Sequence, residues 1–482
     1  MRNLSFILIF LFFTTLSLMF AIENIFGEVN FRQIYYHVYF TFIERIIWFD
    51  KKHFIKIILY SFFLPLLLTF ITFYITHFIL NKKNFISNTL ISIFFLFLIC
   101  VNSYIFINKY SVFKFFTKDR AGSDFYEKNY KSPNLVQYKK KNLIIIYAES
   151  LEDFFSNVDI FEEDLLKNIK EIKYNKSSFT NFYQRLGTSW TIAGIVATQC
   201  GVPLNNFMYS KSNKFTEDIN QFMPNITCLG DILKKEGYKN IFMKAEDARF
   251  AGTGKFLRTH GYDEVLDKNY WEKNNKIESD FDLFKYAKNK VLKLEKEKQP
   301  YNLSILTYDM HLPAENVKNK STFSEICKNL NSKIYNDNIK CVSLIISDFI
   351  NFLINKNILD QTSLVVIGDH LAMRMTPELN KKYLPGESQH YRTIFNYIFT
   401  KEKYKKNRDI MYHFDFLPTI LNILNFEFED NRYGLGASGF GRLSDNFLIH
   451  KIDDYQNNNL TLLNDELDKF SLKYNSFWDR KN

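Results

Sequence analysis

Three uncharged apolar stretches at the N-terminal end constrain this chain more than any other feature. Asn3–Ile22 carries no charge, Ile57–Asn81 carries none apart from the ionisable His77, and Asn84–Asn108 carries none. Each is long enough to cross about 30 Å of hydrocarbon at about 1.5 Å per residue. Inside lipid the backbone must satisfy its own hydrogen bonds, so each stretch is predicted as a transmembrane helix. The first can also be read as a cleaved signal peptide, although Met19–Ile22 offers no small-x-small cleavage pattern. A chain of this kind is not a purely cytosolic globule, a small disulfide mini-protein or a disordered chain.

Arg2 precedes the first span, and Lys82–Lys83 fill the turn between the second and third. The positive-inside rule puts both in the cytoplasm, so three crossings export everything after Lys109. The chain is then a multi-pass protein of the inner membrane with its larger part in the periplasm, although Lys51 and Lys52 fall on the opposite side. Between them, residues 28–52 show Phe31, Tyr35, Val38, Phe42, Ile46 and Phe49 at helical spacing among Arg32, Glu44, Arg45 and Asp50. That pattern suits a helix lying in the outer interface; the alternative, a short fourth span, would reverse the topology. A formal charge of +10 fits solvated lysines or attraction to anionic headgroups. The lysines are spread out, and no zinc-finger, RNA-recognition or helix-turn-helix pattern occurs, so a nucleic-acid partner is not expected. The lipid bilayer is.

Cys100 lies in the third span, and Cys200, Cys228, Cys327 and Cys341 remain, an even number in a compartment predicted to be oxidising. Pairing nearest neighbours gives Cys200–Cys228 and Cys327–Cys341, one of three connectivities. Residues 1–108 form the membrane domain, 109–140 read as a polar tether, and 446–482 read as a polar appendix. Between them, apolar β-branched runs alternate with helical patterns. Asn142–Tyr147, Lys239–Lys244, Leu303–Thr307, Ser363–Ile367 and Ile394–Phe399 are predicted strands. Continuous apolar strands between helices indicate an α/β domain with a mostly parallel central sheet covered on both faces.

Sites in open α/β sheets form where strands end at their carboxyl edges. The first strand, in NLIIIYAES, delivers Glu149, and SLVVIGDH delivers Asp369 and His370. Two carboxylates and an imidazole suit one divalent ion, Mn²⁺, Zn²⁺ or Mg²⁺. Either group alone is as readily a cap, a salt-bridge partner or a turn. Between them stands Gly187-Thr-Ser-Trp-Thr-Ile-Ala-Gly-Ile-Val-Ala-Thr-Gln-Cys-Gly-Val-Pro203, in which Thr191 precedes the small-residue helical run Ile192–Thr198. A helix N-terminus favours phosphate, and a neighbouring metal would make the Thr191 hydroxyl a usable alkoxide. A threonine there also suits a plain N-cap.

In order, YAES, GTSWTIAGIVATQCGVP, NITCLGDILKKEGYKN, RFAGTGKFLRTHGYD and GDHLAM resemble the alkaline phosphatase/sulfatase superfamily. Within it the chain is similar to membrane-bound phosphoglycerol transferases that decorate periplasmic glucans. Lipoteichoic acid synthases and phosphoethanolamine transferases are more distant. The resemblance covers roughly residues 135–445 and implies a sulfatase-like catalytic domain at 141–445 behind the membrane helices. It implies Glu149, Thr191, Asp369 and His370 as a single metal site, Mn²⁺ foremost, with Thr191 the catalytic nucleophile and Thr188 the second candidate. It further implies substrate binding by His311 in YDMHLP and by Arg249 in ARFAG, which would clamp a lipid phosphate, with His390 in ESQHYR lacking a secure match. The implied donor is phosphatidylglycerol and the implied acceptor a periplasmic glucan.

Two departures stand out. Ser279-Asp-Phe-Asp-Leu-Phe replaces a Trp-Gly-containing step, which bears on headgroup or acceptor, and Gly-Asp-His replaces Ser-Asp-His without altering a ligand. Phosphoethanolamine transfer to lipid A or a glycan, and a non-catalytic envelope scaffold, are the rival readings. No Cys-x-Pro-x-Arg or Ser-x-Pro-x-Arg motif supports a sulfatase activity.

Overall fold

The structure, a computed structural model, describes residues 2–26, 59–79, 85–110, 123–204, 221–274, 277–311, 325–330, 335–372, 392–443, 462–469 and 471–479, with isolated positions between. His390, the Lys82–Lys83 turn and nearly all of the expected interfacial helix at 28–52 lie outside the described residues. The chain forms two compact units, Met1–Lys118 and Asp119–Asn482.

The first unit holds α1 (Arg2–Phe26), α2 (Leu64–Ile79), which follows a π-helical turn at Leu59–Phe63, and α3 (Phe85–Lys109). Three stretches, Asn3–Ile22, Leu59–Thr76 and Asn88–Lys109, are long and apolar enough to cross a membrane. Outward side chains such as Leu67, Phe70, Ile93 and Phe97 are apolar, as a lipid-facing surface requires. Between helices, Phe6 meets Phe70 and Phe73 edge-on at 5.4 Å, and the Ser5 and Ser92 hydroxyls share a 2.8 Å hydrogen bond. Small hydroxyls that let helices approach are typical glue in such packing.

The second unit is built on a seven-stranded sheet. Its elements in chain order are β1 (Asn142–Ala148), β2 (Lys176–Ser177), α4 (Thr191–Cys200), α5 (Leu229–Lys235), β3 (Lys239–Lys244) and β4 (Glu264–Leu266). They continue with α6 (Asp280–Glu297), β5 (Tyr301–Leu306), α7 (Tyr335–Asn355), β6 (Thr362–Gly368) and β7 (Asn396–Phe399). The strand order is β2–β7–β6–β1–β5–β3–β4. The five strands from β6 to β4 run parallel, and β7 is antiparallel to both its neighbours.

β1 is apolar along its length because it is buried on both faces. Ile144, Ile146 and Ala148 join Ile241, Met243, Leu303, Ile305, Leu364 and Val366 in a core completed by α6 and α7. On the opposite face Tyr147 packs against α4, its hydroxyl 3.1 Å from Thr198 Oγ1 and accepting from Gln199 Nε2 at 3.0 Å. The disulfides are Cys200–Cys228 and Cys327–Cys341, the nearest-neighbour pairing.

Two segments differ from the sequence expectation. Within 109–140, Phe125–Asn129 is helical with Phe125 and Tyr126 buried, and Val136–Gln137 pairs with Phe426–Glu427. Within 446–482, Leu462–Asp468 and Leu472–Ser476 are helical, with Leu463, Leu467, Tyr474, Phe477 and Trp478 buried. The reason is aromatic pairing within these Lys- and Asn-rich segments. Tyr126 meets Tyr474 at 5.1 Å and Tyr130 meets Phe477 at 4.9 Å, so the two flanks close on each other.

Candidate metal centre and nucleophile

β1 and β6 pair in register to their ends, Tyr147 beside Ile367 and Ala148 beside Gly368. The next residues of each strand therefore emerge side by side. Ser150 adopts a left-handed φ of 54°, and its N–H donates to Asp369 Oδ1 at 2.8 Å. The His370 N–H donates to the same oxygen at 2.9 Å. Glu149 is held from both ends. Its N–H donates to Thr307 Oγ1 at 2.8 Å, and its Oε1 accepts from Ser150 Oγ at 2.9 Å. His370 Nδ1 bonds the Leu371 carbonyl at 2.8 Å, which turns Nε2 toward the carboxylates, 3.4 Å from Glu149 Oε1 and 3.6 Å from Asp369 Oδ2.

All three side chains are buried, and one ligand atom from each lies within 4.8 Å of the others. Among the described residues Asp369 Oδ2 is buried without a hydrogen-bond partner. An orphaned carboxylate oxygen is costly to bury, and a divalent cation at this spot removes the cost; the donor set of two carboxylates and one imidazole fits such an ion. The electrostatics agree. Burial alone would lift the Glu149 carboxyl, but the facing His370 outweighs it and holds the carboxyl well below its usual range. Burial and the Glu149 charge push Asp369 upward. Burial opposes the His370 imidazolium, yet the charges of Asp369 and Glu149 raise it to about 10. A proton on Nε2 and a cation would thus compete for one place. A second cluster, Cys200, Cys228 and His260, is closed to metal. Its thiols are joined, and His260 is bonded to Asp231 Oδ2 and the Phe222 carbonyl, each at 2.8 Å.

Thr191 is the first residue of α4, with the extended Trp190 as the N-cap, so the plain N-cap reading does not describe it. Its Oγ1 lies 3.3 Å from Glu149 Oε2 and 3.4 Å from His370 Nε2. The Thr188 hydroxyl is not brought to the cluster: it donates to the Arg185 carbonyl at 2.8 Å and accepts the Arg185 N–H at 2.9 Å. Three residues into α4, a Cβ on Gly194 would stand 2.0 Å from the Asp369 carbonyl oxygen. Glycine there allows the helix to reach the Asp369–His370 loop. Gln199 ties α4 to the sheet, donating to Tyr147 and, at 2.7 Å, to Tyr262 OH, which in turn meets Ser304 Oγ at 3.1 Å. Each such bond contributes about 1 kcal/mol net and leaves the helix one position. His413 Nε2 bonds the Asp369 carbonyl at 2.8 Å. Burial drives its basicity down to about 3, so it is the neutral donor.

His311 follows β5 with its ring stacked 5.7 Å from Tyr308, and its charge helps to lower Glu149. The Ser279–Phe284 departure has a structural role beside it. Asp280 accepts the N–H groups of Tyr308 at 2.8 Å and Asp309 at 3.0 Å, and so shapes the loop that carries His311. Arg249 pairs with Asp247, Nε at 2.9 Å and Nη2 at 2.5 Å from Oδ2. Gly368, the other departure, has a packing reason: a Cβ would lie 2.1 Å from the Leu151 carbonyl oxygen.

Sequence reasoning missed Glu152, which is buried, bonds the Ala372 N–H at 2.6 Å and pairs with Arg392 Nε at 2.7 Å. It also missed Lys244, buried at the end of β3. Glu152 sits in the same YAESLE stretch as Glu149, and that spacing was the available signal; Lys244 carried none.

A family profile described as Sulfatase matches residues 141–426. Phosphoglycerol transferase I of Xanthomonas axonopodis pv. citri (strain 306) is 31% identical over 252 residues, covering 51% of this chain and 36% of the relative. Phosphoglycerol transferase I of Citrobacter koseri is 31% identical over 361 residues, covering 70% of this chain and 44% of the relative. The chain thus spans less than half the length of these curated relatives. Among solved structures, the lipoteichoic acid synthase LtaP from Listeria monocytogenes has a TM-score of 0.48 at 18% identity, over 66% of this chain and 78% of that one.

Proposed function

This chain belongs to the sulfatase family, and from that premise we propose that it is a phosphoglycerol transferase acting on phosphatidylglycerol, with a periplasmic glucan or another envelope glycan as acceptor. The observation that carries the reading is the Thr191 hydroxyl, 3.3 Å from Glu149 and 3.4 Å from His370, beside the Asp369 oxygen that accepts no hydrogen bond among the described residues. A hydroxyl at a helix N-terminus, against two carboxylates and an imidazole, is suited to phosphoryl transfer.

Glu149, Asp369, His370 and Thr191 would hold one divalent ion, Mn²⁺ by preference. When bound, it supplies positive charge that favours the threonine alkoxide and stabilises phosphoryl oxygens. The Thr191 hydroxyl gives up its proton to solvent and its Oγ1 attacks phosphorus in line; the bond from phosphorus to the diacylglycerol oxygen breaks, and that oxygen takes up a proton. His311 is the candidate to give this proton or to orient the phosphate. Thr191 then carries phosphoglycerol as an ester. A sugar hydroxyl attacks the same phosphorus, loses its proton, and releases Thr191. Arg249 would contribute to lipid phosphate binding if substrate displaces Asp247, whereas Thr188 shapes the loop before Thr191. The apolar helices anchor the enzyme in the inner membrane, and with Arg2 and Lys82–Lys83 inside, three crossings export the second unit to the periplasm.

The test is covalent labelling from vesicles of phosphatidylglycerol labelled in its glycerol headgroup. Thr191→Ala should lose label and transfer by at least about 10³-fold, while Thr188→Ala keeps the label and EDTA abolishes it. Label retained by Thr191→Ala and lost by Thr188→Ala would reassign the nucleophile. Label taken only from phosphatidylethanolamine vesicles would replace the headgroup.

A further inference from the structure

The polar C-terminal segment does more than close on residues 123–130. Asn464, in the helical stretch Leu462–Asp468, accepts the Leu186 N–H with its Oδ1 at 2.9 Å. Tyr474, in Leu472–Ser476, donates its hydroxyl to the Pro203 carbonyl at 3.1 Å. Leu186 lies before α4 in the chain and Pro203 after it. One segment thus holds the chain on both sides of the helix that carries Thr191. The two grips meet, because the Leu204 N–H donates to the Gly187 carbonyl at 2.8 Å.

The holding segment is itself fixed. Leu463, Leu467, Phe477 and Trp478 are buried. Glu127 accepts the Ser471 hydroxyl at 3.1 Å and the Lys473 N–H at 2.8 Å. Asn225 donates its side-chain amide to the carbonyls of Ser476 at 3.0 Å and Asp479 at 2.8 Å, and Phe222 meets Trp478 at 5.0 Å.

The start of α4 needs such a support. Its N-cap, Trp190, makes no side-chain cap bond, so a cap does not set the entry angle of the helix. The turn before it is closed on itself by the Thr188 hydroxyl and the Arg185 backbone, and its Leu186 N–H is tied outward to Asn464. The Thr191 hydroxyl has to stay 3.3 Å from Glu149 and 3.4 Å from His370, and a misplacement of about 1 Å at a reacting atom costs up to about 100-fold in rate.

We propose that the C-terminal segment is a positioning element for the nucleophile, with Asn464 and Tyr474 as its positioning residues. By fixing the chain before and after α4, they keep the Thr191 hydroxyl against Glu149 and His370. The catalytic consequence rests on the phosphoryl-transfer reading; the structural consequence rests on the hydrogen bonds alone.

The experiment uses the full chain, with vesicles of headgroup-labelled phosphatidylglycerol in one arm and hydrogen exchange without substrate in the other. Asn464→Leu removes the acceptor and keeps bulk. Amides from Leu186 to Ile192 should then exchange at least about fivefold faster. The labelling rate at saturating donor should fall roughly tenfold, with the half-saturating donor concentration and the Mn²⁺ affinity kept within about twofold. Asn464→Asp retains an acceptor oxygen and should restore most of both losses. Leu353→Val, in the buried face of α7, is the control: it should lower the thermal midpoint and leave the labelling rate unchanged. A labelling rate unchanged in Asn464→Leu, or lowered as much by Leu353→Val at equal thermal loss, overturns the proposal. Should Asn464→Leu fail to fold, Tyr474→Phe is read the same way, with exchange followed at Val202 and Leu204. If the unmodified protein takes no label from phosphatidylglycerol, the transferase reading fails and exchange alone decides. Faster exchange before α4 then supports the holding role of the segment, and unchanged exchange overturns it.

Discussion

At the carboxyl edge of the sheet, β6 and β1 deliver Asp369, His370 and Glu149, while the neighbouring β5 and β3 deliver the loop to His311 and the amine of Lys244. The first half concentrates negative charge in a buried space and, among the described residues, leaves one carboxylate oxygen without a hydrogen bond. The second half is mixed in charge, with the buried Lys244 ammonium under the influence of Glu246, Asp267, Glu149 and Asp247. A cation would satisfy the first, whereas the second carries its own counter-charges. Thr191 stands at the acidic half because α4 brings it there.

The sharpest way to break this contrast is Asp369→Asn. An asparagine carbonyl can still accept the N–H groups of Ser150 and His370, now bonded to Oδ1 at 2.8 and 2.9 Å. The loop is therefore kept while one negative charge is lost. Mn²⁺ affinity should fall roughly a thousandfold, about 4 kcal/mol, with the thermal midpoint of the metal-free protein maintained or raised. Titration calorimetry and thermal unfolding measure the two. Affinity retained within tenfold would mean that the acidic half is architecture and the cation sits elsewhere.

A smaller effect is expected from Gly194→Ala, which tests what unites Thr191 with the acidic half. The added methyl would stand 2.0 Å from the Asp369 carbonyl, so α4 must retreat or the ligand loop must shift. Overpacking of this kind costs about 1–3 kcal/mol. Denaturant unfolding should show that loss, together with a fall in Thr191 labelling larger than the loss of Mn²⁺ affinity. Equal losses would show that helix and metal ligands move as one body.

The acidic half was legible in the sequence, as was His311 in the other half, whereas Lys244 was not, for a physical reason. β1 and β6 are buried on both faces, so they read as unbroken apolar runs, and a polar residue directly after such a run has to face the sheet edge. Lys244 also ends an apolar run, KNIFMK, but a lysine at a strand end ordinarily reaches water, and its burial follows only from tertiary packing. The nearest-neighbour disulfides were legible from spacing. Short edge strands such as Lys176–Ser177 and Glu264–Leu266 were not, because a few residues of mixed polarity carry no period. Nor was the docking of the polar flanks, which depends on aromatic pairs about 340 residues apart in sequence, such as Tyr126 with Tyr474.

The finest test of the contrast is its pH dependence, because a proton and the proposed metal ion would occupy the same place in the acidic half. His370 is raised to about 10 by Asp369 and Glu149 against the cost of burial. A raised histidine stabilises the fold fully below its unfolded value, about 6.5, and that contribution is lost as pH climbs through the folded value. The upward shift of Asp369 acts in the same direction over a lower range. Metal-free protein should therefore lose stability from about pH 6.5 toward 10, by up to about 1.4 kcal/mol per pH unit. Metal binding has the opposite sign. The imidazole must be neutral to ligate, so Mn²⁺ affinity should rise about tenfold per pH unit over the same range, with one proton released per ion. Below neutrality the release should exceed one as Asp369 gives up its proton too. Calorimetry of the full chain in buffers of differing ionisation enthalpy counts those protons. A stability profile in EDTA that is flat from pH 6.5 to 9, with no proton release on Mn²⁺ addition, would show that His370 is already neutral and that the two carboxylates do not act on it as the geometry requires.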